Sequence, residues 1–272
     1  MNRGLILKSL REAWVATLLL SLALMAIEAI LAYVLPTFAD QFSTFLLQLE
    51  FAQRMLQALL GTDIGDQVGP GVFSSMAWVH PVVLAIIAAH ATILSTRVPV
   101  GEIDRGTIDV LLGLPVSRWG VYRCELVVFL ASGLVVIGMG LAGNQLGALL
   151  VESKPPSAVQ PLVVVVINLF CLYFAVGGLG WLVSSLSDRR GKAVAVVFTI
   201  LVGSFLLNFL AQVWPLAEPV SFLSVLNYYQ PMLILRDGGG WPVTDMVVLT
   251  VLGVALWLAG GLCFARRDIC TV

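Results

Sequence analysis

The run "AWVATLLLSLALMAIEAILAYVL", residues 13–35, carries a single charged side chain, Glu28. Roughly 20 apolar residues in a helix cross the hydrocarbon of a bilayer, and this run is longer than that. Arg3, Lys8 and Arg11 precede it, as basic residues precede a secretion signal. It exceeds the core of a cleaved signal, about 7–15 residues, and no small-residue cleavage site closes it, so it reads as an uncleaved anchor. Five more stretches repeat the pattern, at about Ser74–Ser95, Cys124–Leu150, Ala158–Ser184, Ala193–Val213 and Asp245–Ala265. Backbone in lipid must satisfy its own hydrogen bonds, and none of these stretches alternates like a barrel strand. The expectation is an all-α integral membrane protein with six transmembrane helices in a single domain, 1–272.

Composition agrees. The 272 residues are 59% hydrophobic and 11% charged, where soluble domains hold about a quarter charged residues. Mean hydropathy is +0.98. A net charge of −1 gives no footing for a nucleic-acid partner. Four cysteines, Cys124, Cys171, Cys263 and Cys270, follow no zinc or redox spacing, and no disulfide is expected. With two histidines and no Cys or Asp cluster, no metal site is expected.

Lys and Arg set the orientation. With both termini cytoplasmic, the inner segments hold Arg3, Lys8, Arg11, Arg97, Arg105, Arg118, Arg123, Arg189, Arg190, Lys192, Arg266 and Arg267, twelve of the 15 basic residues. The outer segments keep Arg54, Lys154 and Arg236. On the outside, residues 36–73 place Phe42, Phe45, Leu46, Leu49, Ala52, Leu56 and Leu59 at helical spacing. That predicts an amphipathic helix between the first two spans, flat on the membrane or packed over the bundle. "ESKPPS", from Glu152, reads as a turn. "WPLAEPVSFLSVLNYYQPMLILRDGGGWP", from Trp214, is too apolar for an ordinary loop and is broken by Pro215, Pro219 and Pro231. It reads as a re-entrant or interfacial element.

On the cytoplasmic side the largest interval holds "GEIDRGTIDVLLGLPVSR", residues 101–118. Gly106 permits a turn, Thr107 is placed to cap a helix, and Asp109 sits in its first turn, where the helix dipole favours an anion. Ile108, Leu111 and Leu112 share one face, and Pro115 ends the helix. Such a short helix has no core of its own; its apolar face needs lipid or a partner. The N-terminal "NRGLILKSLREA" reads as a second amphipathic helix along the inner surface, with Leu5, Leu7 and Leu10 apolar and Lys8 and Arg11 suited to anionic lipid.

The pattern E-x-x-x-G-T-x-x-x-L-L-x-x-P-x-S-R resembles the cytoplasmic loop after the second span of ABC-2 type transporter permeases. It is carried here by Glu102, Gly106, Thr107, Leu111, Leu112, Pro115, Ser117 and Arg118. "FLSVLNYYQPMLIL" from Phe222 and "FARRDI" from Phe264 resemble that family's outer aromatic element and its cytoplasmic ending. Many members carry a Lys at the start of the third span, where this chain reads "VYRCELV", with Arg123 and Glu125.

The resemblance implies a permease subunit of an ATP-binding cassette exporter in a bacterial plasma (inner) membrane. It implies separate ATPase subunits in two copies and a second permease copy, as a homodimer. The loop would then couple to the ATPase, with Glu102, Asp104, Arg105 and Arg118 orienting it and Leu111 and Leu112 anchoring it. No G-x-x-x-x-G-K-[ST] phosphate loop is present, so ATP and magnesium are expected on the partner, with no cofactor on this chain and no enzymatic activity of its own.

Polar groups at membrane depth are functional candidates. Counting at 1.5 Å per residue, Glu28 and His80 both fall roughly 22–24 Å from the inner boundary, so a Glu28–His80 pair is expected as a structural contact. A stand-alone secondary transporter or channel using that pair is the alternative to the ABC reading. His90 is expected to be a packed or hydrogen-bonded group. Asn144, Asn168 and Asn208 are expected to bond between helices, and Gly138, Gly140, Gly143, Gly177, Gly178 and Gly180 to let helices approach closely.

Overall fold

The computed structural model describes residues 3–37, 70–151, 159–236 and 239–268. The amphipathic stretch at 42–59, the turn at 152–157 and Cys270 lie outside the described residues. Ten helices are described: α1 (Arg3–Thr37), α2 (Pro70–Val79), α3 (Pro81–Ser95), α4 (Val100–Asp104), α5 (Ile108–Leu112), α6 (Arg118–Leu149), α7 (Val159–Leu186), α8 (Arg190–Val213), α9 (Pro231–Arg236) and α10 (Val243–Arg266). Two 3₁₀ turns, Glu218–Leu223 and Val225–Tyr228, lie between α8 and α9. No strand occurs among the described residues.

Among the described residues five helices, α1, α6, α7, α8 and α10, are long and apolar enough to cross a membrane. The sixth expected span, Ser74–Ser95, is instead two helices broken at His80. Proline has no N–H to give an α-helical ladder and is accepted at a helix's first position; α3 starts on Pro81. The His80 ring caps it, with Nδ1 accepting from the Val82 N–H at 3.3 Å. The N-terminal stretch is likewise no separate helix. It is the first part of α1, whose 35 residues extend about 52 Å at 1.5 Å per residue. Of its three leucines only Leu5 is buried, while Leu7 and Leu10 are exposed.

Glycine governs how closely the long helices approach. A Cβ on Gly143 would lie 2.1 Å from the Met25 carbonyl oxygen, and one on Gly147 2.1 Å from that of Ala29. These two positions, one helical turn apart on α6, press directly on the α1 backbone. In the same way Gly178 of α7 meets Gly253 of α10, where a Cβ would lie 2.6 Å from the carbonyl oxygen. Gly133 and Gly177 receive the rings of Tyr173 and Phe129, which stack with centroids 4.3 Å apart. Gly138, by contrast, faces open space.

Backbone contact aligns polar side chains. Asn144, beside Gly143, donates from Nδ2 to Glu28 Oε2 at 2.9 Å, and both residues are buried. Deeper in the bundle His90 bridges α1 to α7, with Nε2 at 3.2 Å from Thr17 Oγ1 and Nδ1 at 3.1 Å from the Tyr173 hydroxyl. The later part of the segment after α8 is tied to the bundle, while Trp214, Leu216, Phe222 and Leu223 remain exposed. Asn168 donates to the Tyr228 carbonyl at 3.2 Å, Ser204 Oγ accepts from the Val225 N–H at 3.0 Å, and Tyr229 donates to the Trp78 carbonyl at 3.2 Å. Asn168 thus holds this segment, where a helix-to-helix bond was expected.

Gly143→Val would force α1 off α6. Overpacking of this kind costs about 1–3 kcal/mol, so the variant is expected to melt well below the parent in the same detergent. Gly138→Ala, facing open space, is expected to leave the melting temperature unchanged. Equal melting of the two variants would refute the close approach.

Candidate functional site

The segment between α3 and α6 folds into α4 and α5, each of five residues. Gly106 between them takes φ +69°, the left-handed turn that other residues adopt at a cost. Ile108 and Leu111 are buried and join the main apolar core. Val100 donates its N–H to Ser184 Oγ at 3.2 Å, which ties α4 to α7. The loop's apolar face is therefore filled by the protein itself.

One of its charges is also turned inward. Glu102 is 4% exposed. Lys8 of α1 donates to Glu102 Oε1 at 2.9 Å, and Arg105 approaches the same oxygen at 3.3 Å. Thr107 is the residue before α5, as the sequence suggested, but it makes no side-chain cap there. Its hydroxyl donates to Glu102 Oε2 instead, and its N–H donates to the Glu102 carbonyl at 2.9 Å. Arg105 closes the turn by donating from Nε to the Gly101 carbonyl at 3.0 Å.

A second knot lies next to the first. Arg97, 6% exposed, follows α3. Its Nη1 donates to the Ser9 carbonyl and to Glu12 Oε2, both at 2.9 Å, and its Nη2 donates to Glu125 Oε2. Ser9 donates to the other oxygen of Glu125, and Lys8 pairs with Glu12 at 2.9 Å. Five elements thus meet: α1, the end of α3, α4, the start of α5, and α6. From the sequence Lys8 was assigned to anionic lipid and Arg97 only to the orientation, while Ser9 and Glu12 had no role. The signal available was that Arg97 and Glu125 flank the same expected boundary.

Arg118 and Ser117 have local tasks. Ser117 caps α6, its Oγ accepting from the Gly120 N–H at 3.0 Å. Arg118 donates from Nη1 to the carbonyls of Phe264 at 3.0 Å and Arg267 at 2.6 Å, and its guanidinium lies 5.7 Å from the centre of the Phe264 ring. It thus satisfies the free carbonyls at the end of α10, where a cation also suits the helix dipole. Arg267 in turn binds the Ser185 and Ser187 carbonyls and Asp188.

What remains outward on the loop is the opposite face. Asp104, Arg105, Asp109 and Pro115 are exposed, and Val110 and Leu114 expose 76% and 48% of their surface. Leu112 is half-buried. The Glu28–His80 pair does not form: Asn144 takes the Glu28 carboxylate and Val82 the His80 ring nitrogen. No group of three or more His, Cys, Asp or Glu able to hold a metal occurs among the described residues.

A structured loop, braced against the bundle on one side and bare on the other, suits a chain that works with a partner. The family model described as ABC-2 family transporter protein matches residues 6–269. The chain belongs to the ABC-2 transporter family. It is a multi-pass membrane protein and the membrane component of an ABC-type transporter, not an enzyme, and members of this family associate in general with an ABC ATPase. No curated protein matches the chain.

Two predictions follow from the knots. Removing one partner of a buried ion pair strands the other, at a cost of about 3–5 kcal/mol; Arg97→Leu is therefore expected to lower the melting temperature far more than Arg123→Leu, whose side chain is exposed. Burial opposes the charge of Glu102, but the hydrogen bonds of Thr107 and Lys8 and the charges of Lys8 and Arg105 outweigh it, so it titrates below its ordinary value of 4.5. A lowered carboxylate stabilises the fold fully above that ordinary value and loses its contribution as pH falls through the lower folded value. Hydrogen exchange at residues 100–112 should accelerate as pH drops below 4.5, after correction for intrinsic rates. Glu102→Gln should flatten that dependence, and an identical profile in the variant would remove Glu102 as the cause.

Proposed function

We propose that this chain is the permease subunit of an ATP-binding cassette exporter and couples to a separate ATPase through the 101–118 loop. The observation that carries the reading is the two-faced loop. One face is locked to α1 by Lys8–Glu102 and to the apolar core by the buried Ile108 and Leu111, and the residue that leads into it, Val100, is tied to α7 through Ser184. The other face presents Val110 and Leu114 beside Asp104, Arg105 and Asp109. An apolar centre with a charged rim is the usual anatomy of a protein interface.

The docking residues are accordingly Asp104, Arg105, Asp109, Val110, Leu114 and Pro115, while Glu102, Gly106, Thr107, Leu111, Ser117 and Arg118 hold the element in shape. A push on α5 is passed to α1 through Glu102 and Lys8 and to α7 through Val100 and Ser184. ATP and magnesium reside on the ATPase, in keeping with the missing phosphate loop. Two ATPases and two permease copies make a closed assembly with a two-fold axis. The distribution of basic residues supports a reading in which this loop and both termini lie in the cytoplasm, under six spans of a bacterial plasma membrane, with α2 and α3 together forming the second.

The test is co-purification with the native ATPase from mild detergent, followed by its turnover. Val110→Asp combined with Leu114→Asp puts two charges into the apolar centre and is expected to lower association at least about tenfold, the equivalent of 1.4 kcal/mol, with unchanged melting of the permease. Leu111→Asp is expected to lower the melting temperature instead. An ATPase that binds the double variant as tightly as the parent, with the same turnover, overturns the proposed docking face. If no ATPase accompanies the parent chain under several gentle conditions, the coupling reading itself falls.

A further inference from the structure

An apolar groove of about 520 Å³ runs between α3 and α8, floored by Leu172 and Val176 of α7. Its walls include Ile87 and Ala89 on α3 and Val194 and Phe198 on α8. The α3 wall extends from Pro81 to Ile93, twelve residue steps or about 18 Å at 1.5 Å per step. One leaflet's hydrocarbon is about 15 Å deep, half of the core thickness. The groove thus has the reach of one acyl chain, and it is not enclosed on all sides.

One end of the groove is cationic. Arg190, one helical turn before Val194, donates from Nη2 to the carbonyl of Ile93, a groove residue, at 3.0 Å. The charges that act on it are the guanidiniums of Arg105 and Arg97 and the carboxylate of Asp104. Arg97 and Arg105 have their own carboxylates, in Glu125, Glu12 and Glu102. Arg190 has no carboxylate at salt-bridge distance among the described residues. Arg189 and Lys192 beside it are exposed, and the neighbouring Asp188 is taken by Arg267. The mouth therefore carries an excess of positive charge where the acyl-sized groove begins.

We propose that this groove binds an anionic phospholipid of the cytoplasmic leaflet, one acyl chain between α3 and α8 and the phosphate on Arg190. A guanidinium matches the geometry of a phosphate oxygen pair, and basic pockets between membrane helices on the cytoplasmic side select acidic headgroups. A zwitterionic lipid offers the same chains and phosphate but brings its own cation toward Arg189 and Lys192. The site does not depend on what the chain transports or on its ATPase.

The experiment is native mass spectrometry of the full chain in mild detergent, titrated with phosphatidylglycerol or phosphatidylcholine of equal chain length. Phosphatidylglycerol is expected to be retained at least about fivefold more, which corresponds to a modest difference in binding free energy. Arg190→Gln is expected to bring that ratio close to one. Ala89→Phe, which fills the groove, is expected to reduce retention of both lipids. If Arg190→Gln fails to fold, the double variant Arg189→Gln, Lys192→Gln changes two exposed side chains and is expected to reduce the ratio at least about twofold. Equal retention of the two lipids by the parent overturns the proposal, as does an unchanged ratio in the variants. A lipid-free dimer that Ala89→Phe dissociates also overturns it, and makes the groove a contact between copies.

Discussion

Arg97 and Glu125 are two buried charges in a chain that has few charges to place, and the inner end of the bundle is organised around them. Taking a charge out of water costs several kcal/mol even after relaxation, and attraction repays it only with good geometry and further hydrogen bonds. Both conditions are met at the two Nη groups of Arg97, although its Nε is buried without a partner. Glu12 and the Ser9 carbonyl share Nη1 of Arg97, and Ser9 occupies the second oxygen of Glu125. These partners come from α1 and α6, so satisfying one guanidinium fixes where three chain segments meet. Lys8 extends the arrangement to Glu102, and through Thr107 and Arg105 to the whole loop. An apolar cluster in the same place would hold the helices together with less directional constraint, because the hydrophobic effect does not distinguish one rotation of a helix from another.

Farther along α1 the constraint changes from charge to shape. In lipid no hydrophobic force drives one apolar helix onto another, so association rests on close packing and a few polar contacts. Gly143 and Gly147 bring the α6 backbone against Met25 and Ala29, and Glu28 then finds Asn144 within 2.9 Å. The polar pair and the glycine contact require each other: without the close approach the carboxyl group would lie in hydrocarbon with no donor.

The long apolar runs gave the helices and the glycine clusters gave much of the contact surface, because both depend on properties local to the chain. Rotation about a helix axis is not local, and several expectations failed there. Glu28 and His80 were matched by depth, yet depth says nothing of the direction in which a side chain points; Asn144, beside the glycine that touches α1, held that information. His80 precedes a proline, and the break it imposes turns one expected span into α2 and α3. Leu111 was expected to seek an outside partner because a five-residue helix has no core, but the core of the bundle lies close enough to supply one. Glu102 shows the same effect. Read alone it is a charge on a loop, and only the continuation of α1 beyond the apolar run brings Lys8 to it.

The contacts divide the molecule into a stiff part and a compliant one. Helices α1, α6, α7 and α10 touch through glycine, backbone to backbone or ring to backbone, where small displacements meet steep repulsion. Helix α8 has no such contact: among its residues only Ala193, Val197 and Ser204 are buried, and Gly203 faces open space. Along most of α3 a groove lies between the two helices, and they are joined at its end by the Arg190–Ile93 hydrogen bond. A force on the loop enters the stiff part, since Glu102, Arg97 and Ile108 are all anchored there. Relative movement is then easiest at the α3–α8 seam, the place where the fewest close contacts must be broken. What fills that seam sets how easily it opens, so an acyl chain held by Arg190, whose side chain also lies beside Gly101 of the loop, would act on the mechanics of the bundle where the loop and α8 meet.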